Sequence, residues 1–196
     1  MPRTTELRMS EPLLAQAEPG LDEPSLVRDA LRGERGAFDE IVRTHHRRVF
    51  NFLYQMTRQR QDAEDLTQQT FIKAFAGLER FDVSRPMIHW LLTIGRHAAL
   101  NHFRSDRKWQ ARPEAVAATE RSPAEIAEER DQAESVWARA RRVLGQREFE
   151  VIWLRYGEDL SVAETARVVG LTETHVKVLL YRARQALLEK NGEEQL

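Results

Sequence analysis

The sequence predicts an all-α protein made of two small helical domains joined by a flexible linker, and three observations carry that expectation. Through most of residues 38–103 apolar side chains recur at three- and four-residue steps, the period of amphipathic helices. A second periodic stretch from Ala133 to Leu188 is punctuated by Gly145, Gly157 and Gly170 where helices should end. Between them, from Ser105 to Arg130, periodicity fades and Pro113 and Pro123 interrupt it; acids prevail from Glu114 onward, with Glu120, Glu125, Glu128, Glu129, Asp131 and Glu134 facing only Arg121 and Arg130. The expected division is a loose tail over 1–24, a first domain over 25–108, an acidic linker over 109–132, a second domain over 133–190 and a short tail over 191–196.

A chain of 196 residues holds one ordinary domain or two small ones, and 41% hydrophobic with 31% charged residues suits small helical bodies with a well-hydrated surface. The absence of cysteine excludes disulfides, thiolate metal sites and a cysteine nucleophile. No apolar run is long enough to cross a bilayer, and Met1 to Pro24 lacks the charged-then-apolar pattern of an export signal, so cytoplasmic residence is expected. Net charge is -1, from 30 Lys plus Arg against 31 Asp plus Glu. A free-standing DNA-binding protein is more often basic, because phosphate neutralisation supplies most non-specific affinity. The balance suits a subunit whose DNA affinity becomes useful only on a larger partner.

Taken in order, Pro2, Pro12, Pro19, Gly20 and Pro24 mark the tail. Ser25 is expected to cap a short helix carrying Val27, Ala30 and Leu31 inward, ending near Gly33 and Gly36. Phe38, Ile41, Val42, His45, Val49, Phe52, Leu53 and Met56 trace a long helix, with His45 a core histidine rather than a metal ligand. Residues 58–61 turn the chain into a third helix whose apolar stripe is Ala63, Leu66, Phe71, Ala74, Phe75 and Leu78. Its other face is left to Asp62, Glu64, Asp65, Gln68 and Gln69, with carboxylates near the N-terminus, where the helix dipole favours them.

The wording Asp62-Ala63-Glu64-Asp65-Leu66-x-Gln68-x-x-Phe71 resembles the second conserved region of the extracytoplasmic-function (ECF) group of bacterial RNA polymerase sigma factors, in the sigma-70 family. The resemblance implies that this helix docks on the clamp coiled coil of the polymerase's largest subunit, through Asp62, Glu64, Asp65, Gln68, Gln69 and the neighbourhood of Phe71. It further implies a region 2 helical bundle followed by a region 4 helix-turn-helix, the latter near the polymerase flap.

After Phe81, Asp82-Val83-Ser84-Arg85-Pro86 reads as a loop, since proline disfavours helix just before it and suits a first helical position. The next helix places Ile88, Leu91, Leu92, Ile94, Leu100 and Phe103 inward, with Trp90 as a core residue. Its remaining surface is basic and rich in hydrogen-bonding groups. Loop and helix together could supply the pocket, edge-reading groups and cations that capture of an unstacked base needs. The resemblance assigns that task at the minus-ten element to Asp82, Ser84, Arg85, His89, Arg96, His97, Asn101, Arg104, Arg107 and Lys108. His97 and Asn101 stand where the family usually has Asn and Asp, which leaves the preferred bases open.

In the second domain, helices carry Val136, Ala140, Val143 and Leu144, then Phe149, Ile152, Trp153 and Tyr156 inward. Ser161-Val162-Ala163-Glu164 is a capping box opening a short helix, Gly170 gives the turn, and Thr172 caps a helix burying Val176, Leu179, Leu180, Ala183 and Leu187. Short helix, glycine turn and second amphipathic helix make a helix-turn-helix signature. The unit is similar to region 4 of the same family at Glu164, Ala166, Gly170, Leu171, Val176, Lys177, Leu180 and Arg182-Ala183-Arg184. The front of the second helix meets a major groove in such motifs, which selects Thr172, Glu173, Thr174, His175, Lys177, Val178 and Tyr181 as minus-thirty-five readers, with Arg182 and Arg184 on phosphate. Here too the chain departs from the family, with His175, Val178 and Leu179 where Thr, Ser and Arg are common.

The expected function is therefore that of a sigma factor that binds core RNA polymerase and directs promoter recognition and initiation. It needs no cofactor and no metal, and its partners are core polymerase, promoter DNA and an anti-sigma protein that restrains it. A stand-alone helix-turn-helix regulator would explain the second domain but leave the Asp62 helix without a role. A metal hydrolase built on His97 and His102 is disfavoured, because a five-residue step does not stack on one helical face and no carboxylate pair joins them.

Overall fold

The computed structural model of the protein describes residues 22–110 and 136–193, leaving aside the side chains of 35, 105–110, 136 and 190–193. The expected acidic linker lies largely outside the described residues, as does most of the N-terminal tail.

The first domain consists of α1 (Glu23–Leu31), α2 (Arg35–Thr57), α3 (Arg60–Ala76), a 3-10 turn (Leu78–Arg80) and α4 (Met87–Gln110). Helix α1 starts earlier than the Ser25 cap implies: Asp22 Oδ1 accepts the Ser25 N–H at 3.2 Å, and Pro24 sits in the first turn, where a missing N–H costs nothing. The tail therefore gives way to helix at Glu23 rather than after Pro24. Helix α2 buries Ala37, Ile41, His45, Val49, Phe52 and Leu53 along one stripe and ends at Arg58, whose left-handed φ of 60° lets its N–H reach the Tyr54 carbonyl at 2.9 Å.

Helices α2, α3 and α4 pack mutually, with α1 laid across α2. Helix α3 buries Ala63, Leu66, Thr67, Thr70, Phe71 and Ala74, and the threonine hydroxyls donate back to the Ala63 and Leu66 carbonyls at 2.6 and 2.7 Å, so no polar group is left wanting there. Phe75 does not join the buried stripe: it is 59% exposed, because helical phase turns it away from Ala63 and Ala74 toward the Gln68 side. Helix α4 crosses the bundle at Gly95, where an added Cβ would come within 3.3 Å of Thr70 Oγ1 and 3.6 Å of Leu53, so the close approach favours glycine. Trp90 is partly buried and stacks against Phe81 at 5.1 Å, the packing role expected of it.

The second domain comprises α5 (Val136–Val143), α6 (Gln146–Ile152) running into a π turn (Trp153–Gly157), α7 (Val162–Val169) and α8 (Glu173–Glu193). The Ser161 capping box is present as read: Glu164 N–H donates to Ser161 Oγ at 3.2 Å, and Ser161 N–H donates to Glu164 Oε2 at 2.7 Å. Gly170 takes φ 67° between α7 and α8, a conformation that favours glycine. Thr172 Oγ1 accepts the His175 N–H at 3.3 Å, and α8 buries Val176, Leu179, Leu180 and Ala183. The described residues contain no strand.

The domains meet. Helix α7 lies along α4, and two ion pairs join the bodies: Arg96 Nε to Glu150 Oε1 at 2.5 Å, and Arg48 Nε to Glu158 Oε2 at 2.9 Å. Arg141 of α5 donates to Gln55 Oε1 of α2 at 2.8 Å.

Candidate functional site

The acid-and-amide ridge is built by helical phase. Asp65, Gln68, Ile72 and Phe75 fall on the arc of α3 opposite Ala63, Thr67, Thr70 and Ala74, and the first four are exposed while the latter four are buried. Glu64 holds Arg60 at 2.9 Å, and Asp65 accepts the Gln61 side-chain amide at 3.3 Å. Gln69 is exposed as well. Two candidates do not face outward with them. Asp62 turns toward α4, its carboxylate 3.3 Å from His102 Nε2, and Phe71 is buried beside His46. Phe71 is buried, as its place on the apolar stripe predicts, and the exposed apolar side chains in its neighbourhood are Ile72, 61% exposed, and Phe75. The missed signal is the position of Ile72 in the same phase as Asp65 and Gln68.

The loop before α4 organises itself. Asp82 Oδ1 accepts the Ser84 N–H at 3.1 Å and the Ser84 hydroxyl at 2.6 Å, and Asp82 Oδ2 holds Arg85 Nε at 3.0 Å. Hydrogen bonds from Ser84 keep the Asp82 carboxyl below its usual range. Exposed Val83 is carried at the tip, so the loop presents an apolar side chain flanked by Ser84 and Arg85.

Along α4 the minus-ten candidates His89, Arg96, His97, Asn101 and Arg104 do not share one face. His97, Asn101 and Arg104 are exposed and follow one another at helical steps, forming an outward stripe. His89 and Arg96, seven residues apart, form another that faces the second domain. Arg96 is covered by Glu150, and His89 Nδ1 lies 3.6 Å from Glu164 Oε1. Burial lowers the His89 pKa, with Glu164 opposing it. The backbone of α4 continues through Arg107 and Lys108, whose side chains lie outside the described residues. Sequence reasoning missed Arg48, Glu150 and Glu158, because each finds its partner 54 or 110 residues away and no local pattern marks such a pair.

Burial pushes the Glu150 and Glu158 carboxyls above the usual range, with Arg96 and Arg48 pulling them back. A cavity of about 450 Å³ opens beside this junction, lined by Phe52, Met56, Phe103, Leu144, Phe149 and Trp153 with the polar ends of Gln55 and Arg141. Arg141 lies 4.0 Å over the Phe149 ring, and burial followed by the nearby Arg58 charge pulls its pKa down to about 10.

On α8, Thr172, Glu173, Thr174, His175, Lys177, Val178, Tyr181, Arg182 and Arg184 are all exposed. Tyr181 is 63% exposed, an aromatic that the core does not need. Arg184 is steered by a hydrogen bond to the Tyr156 hydroxyl and by that ring's face, which fixes it beside the π turn. Among the described residues no group of three or more His, Asp or Glu could hold a metal ion, and no helix is long and apolar enough to cross a membrane.

With the geometry in place, the family models match in chain order: Sigma-70 region 2 over residues 41–109 and Sigma-70, region 4 over residues 138–187. The chain belongs to the ECF group of the sigma-70 family. It is similar to the ECF RNA polymerase sigma factor BldN of Streptomyces coelicolor, 34% identical over 170 residues, spanning 83% of this chain and 63% of that protein. RNA polymerase sigma factor YlaC of Bacillus subtilis is 28% identical over 169 residues, covering 82% of this chain and 97% of that one. Among solved structures, CnrH in complex with the cytosolic domain of CnrY superposes with a TM-score of 0.65 at 25% identity, over 87% of this chain and 97% of that one. A sigma factor directs core polymerase to promoters, and this chain has both of the modules that the task uses. Helices α3 and α4 lie in the region 2 match and the helix-turn-helix lies in the region 4 match, whereas α1 precedes both.

Proposed function

We propose that this sigma factor binds core RNA polymerase through the α3 ridge, reads the minus-ten strand with the 82–86 loop and α4, and reads the minus-thirty-five duplex with the front of α8. The observation that carries the reading is the ridge itself: Ile72 and Phe75 are 61% and 59% exposed beside Asp65 and Gln68, a mixed apolar and acidic surface that the bundle leaves uncovered. Asp82, Ser84, Arg85, His97, Asn101 and Arg104 then meet the single strand, and Thr172 to Tyr181 enter the groove with Arg182 and Arg184 on phosphate.

The docked arrangement cannot serve both promoter elements at once. Their names place them about 25 base pairs apart, roughly 85 Å of duplex at about 3.4 Å per step. A body of about 150 residues has a radius of gyration near ~15 Å. Promoter binding therefore separates the domains and releases Arg96 and His89 for the minus-ten strand. Two weak readers held on one polymerase gain effective concentration without new contacts. We further infer that an anti-sigma protein restrains this chain. The work is cytoplasmic.

The test is reconstitution. Core polymerase with the full chain should yield transcripts from discrete start sites, and Asp65→Arg should abolish both association with core enzyme and those transcripts. Retained association of the variant would remove the ridge from the mechanism.

A further inference from the structure

The start of α4 is held by a residue outside the matched region 2 segment. Glu23, the first residue of α1, projects its carboxylate to the first turn of α4, where Oε2 accepts the Met87 N–H at 2.9 Å. Its other oxygen, Oε1, lies 3.2 Å from Nε2 of His45, a histidine buried on α2. One carboxylate thus ties together three helices: α1, which carries it, α2 and α4.

The need for this tie follows from the local sequence. The free N–H groups at a helix start are usually met by a Ser, Thr, Asp or Asn just before the first turn. Here that position is occupied by Pro86, which offers no side-chain acceptor. The nearby acceptor Asp82 is committed to Ser84 and Arg85. A carboxylate contributed from 64 residues away takes over the capping role. Burial pushes the Glu23 carboxyl up, but the His45 imidazole beside it and the hydrogen bond from the Met87 N–H outweigh it and hold the group below its usual range, so it stays ionised where the helix dipole favours an anion.

Met87 is the residue directly after the loop that Asp82, Ser84 and Arg85 build, and it is fully buried. Fixing its N–H fixes the exit of that loop and the rotation of α4, on which His97, Asn101 and Arg104 are displayed. We propose that Glu23, seated against His45, is a positioning residue for minus-ten recognition: it touches no DNA but sets the angle at which the 82–86 loop and the outer stripe of α4 meet the strand. This rests on the minus-ten reading given above and adds α1 to the machinery.

The experiment uses the full chain with core RNA polymerase on a pool of templates randomised at both promoter elements, with the resulting transcripts sequenced. The wild type returns a preference at each element. Glu23→Ala should flatten the minus-ten preference about fivefold, the size of a lost helix cap, while the minus-thirty-five preference and the pull-down of core enzyme change less than twofold. Glu23→Gln, whose amide oxygen can still accept the Met87 N–H, should recover most of the minus-ten preference. A merely structural role predicts something else: all readouts falling together in step with thermal stability. That outcome, or an unchanged minus-ten profile in Glu23→Ala, overturns the proposal. If Glu23→Ala does not fold, Glu23→Asp, which keeps the charge but withdraws it by one methylene, carries the same comparison. A wild type that selects no promoter at all defeats the minus-ten reading itself, and is distinct from a wild type that selects while Glu23→Ala selects equally well.

Discussion

Asp65 and Phe71 sit six residues apart on one helix and have opposite fates, the first on the surface and the second in the core. The difference is rotational phase, so a motif that names both residues describes an outward ridge and the wall that stiffens it. Asp65→Arg replaces an exposed group that accepts the Gln61 side-chain amide. Its melting temperature should stay within about 2 °C of the parent, as for surface changes away from buried features, while affinity for core polymerase falls at least about tenfold, the scale of a reversed charge at an interface. Calorimetry with a pull-down titration checks both. At this scale the sequence was informative about residue type and less so about direction: the outward side of Glu64, Asp65, Gln68 and Gln69 was legible, but the turn of Asp62 toward His102 depends on where α4 crosses, and no local pattern carries that.

The helix-turn-helix was the most legible element. Ser161, Glu164, Gly170 and Thr172 each act through short-range backbone chemistry, a cap, a left-handed turn or a second cap, and such chemistry is written within a few residues. Ser161→Ala should cost about 1 kcal/mol of second-domain stability, read as a shift in the urea midpoint with unchanged slope. The element's exposed front makes a further expectation. With about four phosphates contacted, the second domain's duplex affinity should fall with a log-log salt slope near roughly -4, where a flat response would remove the duplex-binding role. Helix α1 was less legible. Ser25 looked like the cap because its type fits, yet Asp22 precedes a proline that is well placed in a first turn, and the longer helix follows. That shift brings Glu23 into the structure, and with it the hold on α4.

At the scale of the whole molecule, two domains were legible but their docking was not, because complementary charges separated by 110 residues leave no periodic trace. The docked state titrates. Glu150 faces Arg96 and Arg147, and Glu158 faces Arg48 and Trp153; burial raises both carboxyl pKa values in this arrangement. Groups raised in the docked state bind protons more tightly there than when undocked. These two carboxyls therefore favour docking most below the ordinary carboxylate pKa and less as pH rises through the raised values, while His89, whose pKa burial lowers at the same junction, opposes docking as pH falls through the ordinary histidine range. Because the chain has no cysteine, Glu79→Cys with Gln185→Cys allows unique dye labelling, and in a His89→Asn background, which removes the opposing imidazole, the dye separation should lengthen with rising pH. Glu150→Arg together with Glu158→Arg should hold the long separation at every pH, since each would set two guanidinium groups against one another in a dry junction.

The Arg96 to Glu150 pair has a consequence for genetics. If Arg96 meets the minus-ten strand as proposed, a guanidinium shared between that strand and an internal acid would make transcriptional output sensitive to a codon whose product never approaches the template. Selection for hyperactive alleles should accordingly return lesions at Glu150, far along the gene from the segment encoding α4, and their phenotype should vanish when Arg96 is replaced as well.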